Sequence, residues 1–207
     1  MRNVHPTSPL ASRLQIQGRL SRRAFLNKAA LTAAGALLAG TWLAACNDND
    51  DNDDDAAAAG PPHDFTFVPY QGVGEPEEEM QFAALFGQGR PVVLNFWAGQ
   101  CPPCRAEMPD FQRVADYYGD DITLIGIDVG VFTMLGTQDD ARALLDELDI
   151  TYPAGYAVDD RPLRDYNVTG MPTTVFFTAD GDLHERHTRI ILEDEMREKI
   201  DEILAAS

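Results

Sequence analysis

The sequence has few cysteines and few basic residues, and each shortage excludes a class of protein. Three cysteines in 207 residues are too few for the disulfide framework of a small secreted scaffold. The 16 basic residues against 34 acidic ones do not supply the basic surface that nucleic-acid binding requires, so we expect no nucleic-acid partner. The uncharged run at residues 29–45 has 17 residues diluted by Ala, Gly and Thr, which makes it marginal as a transmembrane helix.

Charged residues are divided unevenly along the chain. Residues 1–45 hold six basic residues and no acidic one, which leaves 10 basic and 34 acidic residues, a net charge of −24, for the remainder. In the first part, Ser21–Leu26 reads SRRAFL and precedes the uncharged run, which is the order of a twin-arginine export signal. Residues 1–45 are therefore predicted to be a signal peptide. The acidic remainder suits a positively charged protein partner or a saline habitat.

The uncharged run ends in LAAC at Leu43–Cys46, which resembles the lipobox of bacterial lipoproteins. In that family the cysteine thiol is diacylated and becomes the first residue of the mature chain. The resemblance implies that Cys46 is a lipidation site anchoring the protein at the extracytoplasmic face of the cell membrane, since two acyl chains give durable attachment. The alternative is an uncleaved amino-terminal helix with an incidental cysteine, which would also place the following domain outside the cytoplasm.

An acidic, low-complexity segment follows Cys46. Residues 46–63, with NDNDDNDDDAAAAGPP at 47–62, are predicted to be a disordered tether, because like charges repel and no core can form. Closely spaced aspartates raise the alternative of calcium binding, but the central Gly and terminal Glu of an EF-hand loop are missing. Residues 64–207 are predicted to be the folded domain.

In this domain, apolar runs suited to strands alternate with segments of helical period, which predicts an α/β fold with a partly parallel sheet. The predicted strands are residues 92–98, 122–128, 173–178 and 183–189, and the turn at 179–181 should join the last two into an antiparallel hairpin. Three predicted helices carry these apolar stripes: Phe111, Val114, Ala115 and Tyr118; Ala141, Leu144, Leu145 and Leu148; Leu192, Met196, Ile200 and Ile203. The stripes are expected to shield both faces of the sheet, giving three layers.

A cysteine pair, Cys101 and Cys104, lies between the predicted strand at 92–98 and a predicted helix start. Free backbone N–H groups and the helix dipole stabilise an anion there, so a thiol loses its proton more readily and becomes a nucleophile. Pro102 and Pro103 fit the first helical turn and restrict the geometry between the sulfurs. A zinc site is the alternative. A zinc site would need His184 and His187 as further ligands. On a strand these two side chains would point to opposite faces, so we expect no metal.

The string LNFWAGQCPPCRAEMP at residues 94–109 resembles the thioredoxin superfamily, and more closely the TlpA/ResA-like thiol:disulfide oxidoreductases, whose usual string is LNFWATWCPPCRAEMP. The resemblance implies a thioredoxin-like three-layer α/β/α sandwich with a mixed central sheet. It also implies an enzyme whose only redox group is the disulfide Cys101–Cys104, with no added cofactor. Gly99 and Gln100 depart from the usual Thr-Trp, and this removes an aromatic ring that normally shields the first sulfur.

The same resemblance assigns roles near the cysteine pair. Cys101 attacks the substrate disulfide and Cys104 resolves the mixed disulfide. Glu107 matches the glutamate of the CxxCxxE string and is expected to accept the proton of the resolving thiol. The alternative for Glu107 is a solvent-exposed residue favoured only by the helix dipole. Asn95 stands where thioredoxin itself has a buried aspartate, which shifts proton handling to Glu107.

A second motif, Gly170–Thr174, precedes an apolar strand and matches the cis-proline site of the superfamily. Pro172 is therefore expected to follow a cis peptide bond and to belong to the catalytic site; a trans-proline opening a strand is the alternative. Met171, Pro102, Pro103 and Trp97 are assigned to substrate binding, with core packing beside the site as a further role for Trp97.

The resemblance implies exported proteins as disulfide substrates, including proteins of cytochrome c maturation, copper-site assembly or redox homeostasis. It also implies a transmembrane thiol relay as electron donor, and we expect a monomer. One alternative is a peroxidase or antioxidant protein of the neighbouring redoxin families, although Ala98 stands where their motif has Thr. Another is a non-catalytic metal or haem chaperone, which would be expected to add His or Met ligands near the cysteines.

Overall fold

The computed structural model describes residues 61–205. The predicted signal peptide at 1–45, the lipidation site Cys46 and nearly all of the predicted tether at 46–63 lie outside the described residues. Among the helices of residues 61–205, none combines the length and the apolar character that crossing a membrane requires.

The centre of the fold is a seven-stranded mixed sheet. Its strands are β1 (Thr66–Gln71), β2 (Met80–Gln81), β3 (Val92–Trp97), β4 (Thr123–Asp128), β5 (Ala154–Ala157), β6 (Thr173–Phe177) and β7 (Leu183–Thr188). They lie in the order β2-β1-β5-β4-β3-β6-β7. Strands β3, β4 and β5 are parallel, and the other neighbours are antiparallel. The four predicted strands and the β6–β7 hairpin are confirmed, with ends shifted by no more than one residue.

Helices connect these strands. They are α1 (Pro102–Tyr118), α2 (Gly130–Thr133), α3 (Gln138–Glu147), α4 (Arg161–Asp165) and α5 (Glu193–Ala205), with 3₁₀ helices at Phe82–Leu85 and Gly119–Asp121. The three predicted helices correspond to α1, α3 and α5. One residue of the predicted stripes is corrected: Leu192 precedes α5 and is 53% exposed. Leu148 caps the end of α3 and packs against the core in a partly buried position.

Apolar residues pack on both faces of the sheet, so the three-layer architecture is confirmed. On one face, α1, α3 and α5 all contribute to a single core. The other face is covered mainly by aromatic rings from short segments, such as Phe82, which stacks on Phe65 at 4.8 Å, and Tyr166, whose ring meets Phe177 edge-on. The expectation that the helical stripes cover both faces is therefore wrong. Large rings bury enough apolar area for short elements to shield the second face.

Strand β3 runs through the middle of the sheet and carries the site. All six of its residues are buried, and successive side chains point to opposite faces. Val93 and Trp97 pack into the core beneath α1, whereas Leu94 and Phe96 join the opposite core. Residues 98–101 connect the carboxyl end of β3 to the start of α1, which places the cysteine pair at the carboxyl end of this central strand.

Candidate active site

The start of α1 holds the cysteine pair. Cys101 is the capping residue of this helix, and its sulfur accepts a hydrogen bond from the backbone N–H of Cys104 at 3.3 Å. The two cysteines form a disulfide with their Cα atoms 5.3 Å apart. The predicted location between a buried strand and a helix is thus confirmed. The same N–H group and the helix dipole would stabilise a thiolate on Cys101 after reduction.

Access to the two sulfurs differs. Cys101 is 3% exposed and lines a pocket of about 390 Å³, whereas Cys104 is completely buried. Pro102 and Pro103 also line this pocket and are exposed, and Met171 lines it from the other side. A partner molecule can therefore reach the disulfide only at Cys101. Three of the residues predicted to bind substrate lie around that opening.

The loop before β6 forms the side of the pocket opposite the cysteines. The Met171–Pro172 peptide bond is cis, as the sequence predicted. Thr173, at the start of β6, donates a hydrogen bond from its hydroxyl to the backbone oxygen of Gly170 at 2.8 Å, which fixes the loop to the strand. Pro172 is buried and Met171 is partly buried. The arrangement brings Met171 to the pocket that holds Cys101, whereas Pro172, the next residue, is not among the residues that line it.

Trp97 occupies a different place from the one predicted. Its side chain is completely buried in the core beneath α1, beside Gly126 of β4. It offers no surface to a substrate, so its assignment to substrate binding is corrected. Core packing beside the site, the other role considered for Trp97, is what the structure shows. Because β3 is buried on both faces, neither alternating set of its side chains reaches the solvent.

Glu107 lies one helical turn beyond Cys104 and is completely buried. One carboxyl oxygen accepts a hydrogen bond from the Asn95 side chain at 2.9 Å, and the other accepts from the backbone N–H of Ile191 at 3.1 Å. Desolvation raises the pKa of Glu107 to about 8, although both hydrogen bonds act in the opposite direction. The alternative of a solvent-exposed Glu107 is wrong. The contact with Ile191 spans 84 residues, so no local sequence signal could have indicated it.

Gly99 packs against the first turn of α3, and Gln100 packs against the loop that leads into this helix. A Cβ atom on Gly99 would come within 2.6 Å of the backbone of Asp140 and Ala141, so only glycine permits this approach. The Gln100 backbone N–H donates to the Leu135 oxygen at 2.7 Å, and its side chain bonds to the Asp140 carboxylate. Leu135 in turn lines the pocket beside Cys101. Gly99 and Gln100, which replace the usual Thr-Trp, thus occur where α3 and the loop before it pack closely against the residues that follow β3.

Sequence reasoning missed part of the pocket wall. Thr133, Leu135 and Val168 line it together with Cys101, but they come from the end of α2, the loop after it and the loop after α4. Their residue types carry no chemical signal. Only the parallel arrangement of β3 and β4, and the position of the β6 loop, bring them to the same edge.

The histidines of β7 do not form a metal site with the cysteines. His184 is exposed, with its ring nitrogen 3.8 Å from a carboxyl oxygen of Glu202, whereas His187 is buried. Both rings nevertheless approach α5, since His187 lies 3.6 Å from a carboxyl oxygen of Glu195, so the prediction of opposite faces is wrong. The pairing of β7 with β6 shifts register between Phe176 and Phe177, and this breaks the alternation of side chains at His184. Within residues 61–205, no group of three or more His, Cys, Asp and Glu side chains is placed to hold a metal ion.

Part of this sequence is similar to the sequences of known proteins. The chain is 33% identical over 116 residues to "Thioredoxin-like protein YneN" of Bacillus subtilis, covering 55% of this chain and 65% of that protein. It is 32% identical over 109 residues to "Thiol-disulfide oxidoreductase ResA" of Oceanobacillus iheyensis, covering 53% and 54%. The matched region therefore spans less than two thirds of the length of both relatives.

The fold is also that of a solved structure, the pneumococcal exposed lipoprotein thioredoxin Etrx1 of Streptococcus pneumoniae strain TIGR4. The TM-score is 0.57 at 24% identity, over 68% of this chain and 99% of that one. This likeness shows a thioredoxin-like fold.

Residues 63–186 match the AhpC/TSA family, and they include both cysteines of the pair, Glu107 and Pro172. The chain therefore belongs to the AhpC/TSA family and has a thioredoxin-like fold.

Proposed function

We propose that this protein is a thiol:disulfide oxidoreductase that exchanges disulfides with other proteins through Cys101 and Cys104. The observation that carries the proposal is the asymmetry of the pair. A disulfide is formed at the start of α1, and only the sulfur of Cys101 reaches the pocket. Stepwise disulfide exchange requires an accessible nucleophilic thiol next to a protected resolving thiol. The names of the relatives support the same reaction class.

In the reduced protein, the Cys101 thiolate attacks one sulfur of a substrate disulfide. An S–S bond forms between Cys101 and the substrate, and the other substrate sulfur leaves as a thiolate that takes a proton from water. The Cys104 thiol then gives its proton to Glu107, and its thiolate attacks the Cys101 sulfur. The second substrate thiolate leaves and is protonated. The products are a substrate reduced by two electrons and the disulfide Cys101–Cys104.

Glu107 returns its proton when a donor dithiol regenerates the enzyme. The donor thiolate attacks Cys101, and Cys104 leaves as a thiolate that takes the proton from Glu107. A second donor thiol then releases Cys101, so the donor becomes oxidised by two electrons. Since burial raises the pKa of Glu107 to about 8, this carboxyl holds a proton at neutral pH in the disulfide form and is ready to supply it.

We infer that the protein works outside the cytoplasm, held at the membrane through a lipid on Cys46. The twin arginines, the uncharged run and the LAAC string support this location. Exported proteins, including those that mature cytochrome c, would then be the substrates. Thiols outside the cytoplasm need a supply of electrons across the membrane, so a transmembrane thiol relay is the donor that fits.

The test of the reaction is Cys104→Ser expressed in the native host. This variant should accumulate disulfide-linked adducts on Cys101, because attack proceeds and the resolving thiol is missing. Adducts are counted on non-reducing gels and identified by mass spectrometry. The double variant Cys101→Ser, Cys104→Ser is the matched control and should form none. If Cys104→Ser forms no adducts in either oxidising or reducing growth conditions, the exchange mechanism is wrong.

Peroxide consumption separates this reaction from that of a redoxin peroxidase. Ala98 stands three residues before Cys101, where the peroxidase motif has a threonine hydroxyl, and its side chain is buried. The reduced protein should therefore reduce a protein disulfide rapidly and consume hydrogen peroxide no faster than a free thiol does. Rapid peroxide consumption without disulfide exchange would support the peroxidase instead.

A further inference from the structure

Large apolar side chains are exposed on one short segment beside the active site. Seven such side chains are exposed within residues 61–205, and three of them, Val131, Phe132 and Met134, lie on α2 and the residue after it. Met134 is 93% exposed and Val131 is 55% exposed. Monomeric proteins rarely leave contiguous apolar groups in water unless a partner covers them. We call residues 131–135 the apolar segment.

The apolar segment joins two depressions of the surface. At one end, Thr133 and Leu135 line the pocket that contains Cys101. At the other end, Val131 and Phe132 line a second cavity of about 230 Å³, whose rim also includes the exposed Val158. A chain that lies along the apolar segment can therefore reach both cavities while its sulfur meets Cys101.

Asp128 contributes a carboxylate to the second cavity. It ends β4, is 2% exposed, and accepts hydrogen bonds from the Tyr70 hydroxyl at 2.9 Å and the backbone N–H of Gly130 at 2.8 Å. Both donors are neutral groups. Arg142 lies over the Tyr70 ring at 4.7 Å and forms ion pairs, at 3.9 Å, with Glu77 and Asp139. It makes no ion pair with Asp128, but its positive charge lowers the pKa of that carboxyl and so favours the ionised form.

The charge of Asp128 persists at neutral pH. Burial raises the pKa of this carboxyl to about 6, which still leaves it largely ionised at pH 7. A negative charge on the wall of an apolar cavity favours a ligand that combines an apolar stem with a cationic end, as lysine and arginine do. The net charge of −24 outside residues 1–45 attracts such a ligand from a distance.

We propose that the apolar segment, Val158 and Asp128 form a docking site for the protein whose disulfide is exchanged. An extended segment of that substrate covers Phe132, places a lysine or arginine side chain in the cavity of Asp128, and presents its sulfur to Cys101. This inference rests on the proposed function and adds the chemistry of the preferred substrate, which is apolar and basic.

The test uses three small substrates of the reduced protein. One is glutathione disulfide, which is too small to span the apolar segment. The other two are peptides whose single cysteine is linked to glutathione through a disulfide. Both peptides carry leucines on either side of the cysteine. They differ only in their charged residues, which are lysines in one peptide and glutamates in the other. The wild-type protein should prefer the lysine peptide by about tenfold in kcat/KM, since one good charged contact has this effect.

Phe132→Ser should lower kcat/KM for the lysine peptide about tenfold, the loss typical of an aromatic contact in an interface, and should leave the reaction with glutathione disulfide unchanged. Val158→Lys should abolish or reverse the preference for lysine, because it adds a positive charge at the rim without altering a buried group. Asp128→Asn should abolish the same preference where that variant folds. Leu183→Ser, which removes a side chain of similar exposure on β7, is the control and should change none of these rates.

Equal rates for the two peptides with wild-type protein, or an unchanged rate for the lysine peptide with Phe132→Ser, would overturn the docking site. Sedimentation that shows a dimer abolished by Phe132→Ser, with unchanged peptide kinetics, would overturn it as well, because a second copy would then cover the apolar segment. Failure of the proposed function is distinguishable from these results, since the wild-type protein would then not reduce glutathione disulfide either.

Discussion

Glu107 is the residue at which burial has its clearest chemical consequence. The side chain sits on the same helix as Cys104 and is removed from water by the core beneath α1. Its partners, the Asn95 amide and the Ile191 N–H, are both donors, so they stabilise the ionised form once it appears. Burial nevertheless dominates and raises its pKa to about 8. The carboxyl can thus hold a proton at neutral pH and exchange it with a neighbouring thiol.

Glu107→Gln tests this role through the pH profile of the resolving step. In the wild-type protein the step should accelerate as pH rises through about 8, because the ionised carboxyl that accepts the Cys104 proton becomes more abundant. The variant should be slower below pH 8 by roughly a hundredfold, the lower end of general-base effects. Its rate should rise only where the Cys104 thiol itself ionises. Quenched-flow measurement of substrate release checks both.

Glu198→Gln, at an exposed position of α5, is the control for that experiment and should keep the wild-type profile. A Glu107→Gln profile that overlays the wild-type one would remove Glu107 from the proton transfer.

At the scale of elements, the site depends on how the loop before α3 packs on the end of β3. Thr137 and Asp140 form a capping box that fixes the start of α3, and Asp140 also bonds to the Gln100 side chain. The backbone of α3 approaches Gly99 so closely that no Cβ fits there. These contacts hold Leu135 in the pocket wall beside Cys101.

Gly99→Ala should destabilise the protein by about 1–3 kcal/mol, the usual cost of overpacking, because the new methyl group meets main-chain atoms that cannot rotate away. Chemical denaturation followed by circular dichroism measures the change. Gly170→Ala is the matched control: its added methyl group would meet only a Thr188 methyl at 3.5 Å, so its stability should stay within about 0.5 kcal/mol of wild type. Equal stabilities for the two variants would contradict this packing.

The elements that were predictable from sequence are those with strong local patterns. Strand β3 reads as an uninterrupted apolar run, and α1, α3 and α5 each carry an apolar stripe. Strand β1 was not predicted, since Pro69 interrupts it, and β5 is only four residues, AGYA, of low strand propensity. The same limit applies to the site: the cysteine motif and Pro172 are local signals, whereas Leu135 and the Ile191 N–H reach the site only through the tertiary fold.

At the scale of the whole molecule, the chain divides by charge. For the basic residues 1–45 we propose an export machinery and a membrane as the surroundings, and for the acidic remainder an aqueous space with basic partners. The described domain fits basic partners, because the apolar segment leads from the pocket of Cys101 to a second cavity that contains the carboxylate of Asp128.

Cys46→Ser should shift the protein from the membrane fraction to the soluble extracytoplasmic fraction, because the variant lacks the thiol that would be acylated. Cell fractionation and immunoblotting measure the change. The double replacement of Arg22 and Arg23 by Lys is the companion variant, which should instead retain the protein in the cytoplasm. Cys46→Ser that stays with the membrane would show that the protein is held there by something other than this lipid.

The most direct measurement of the chemistry is the alkylation of the reduced protein with iodoacetamide as a function of pH, with the modified cysteine located by mass spectrometry. Modification should occur at Cys101 before Cys104, with a midpoint below the value of about 8.5 for a free thiol, because only Cys101 is accessible and the start of α1 stabilises its anion. Modification of Cys104 first, or a Cys101 midpoint at or above that of a free thiol, would contradict the assignment of Cys101 as the nucleophile.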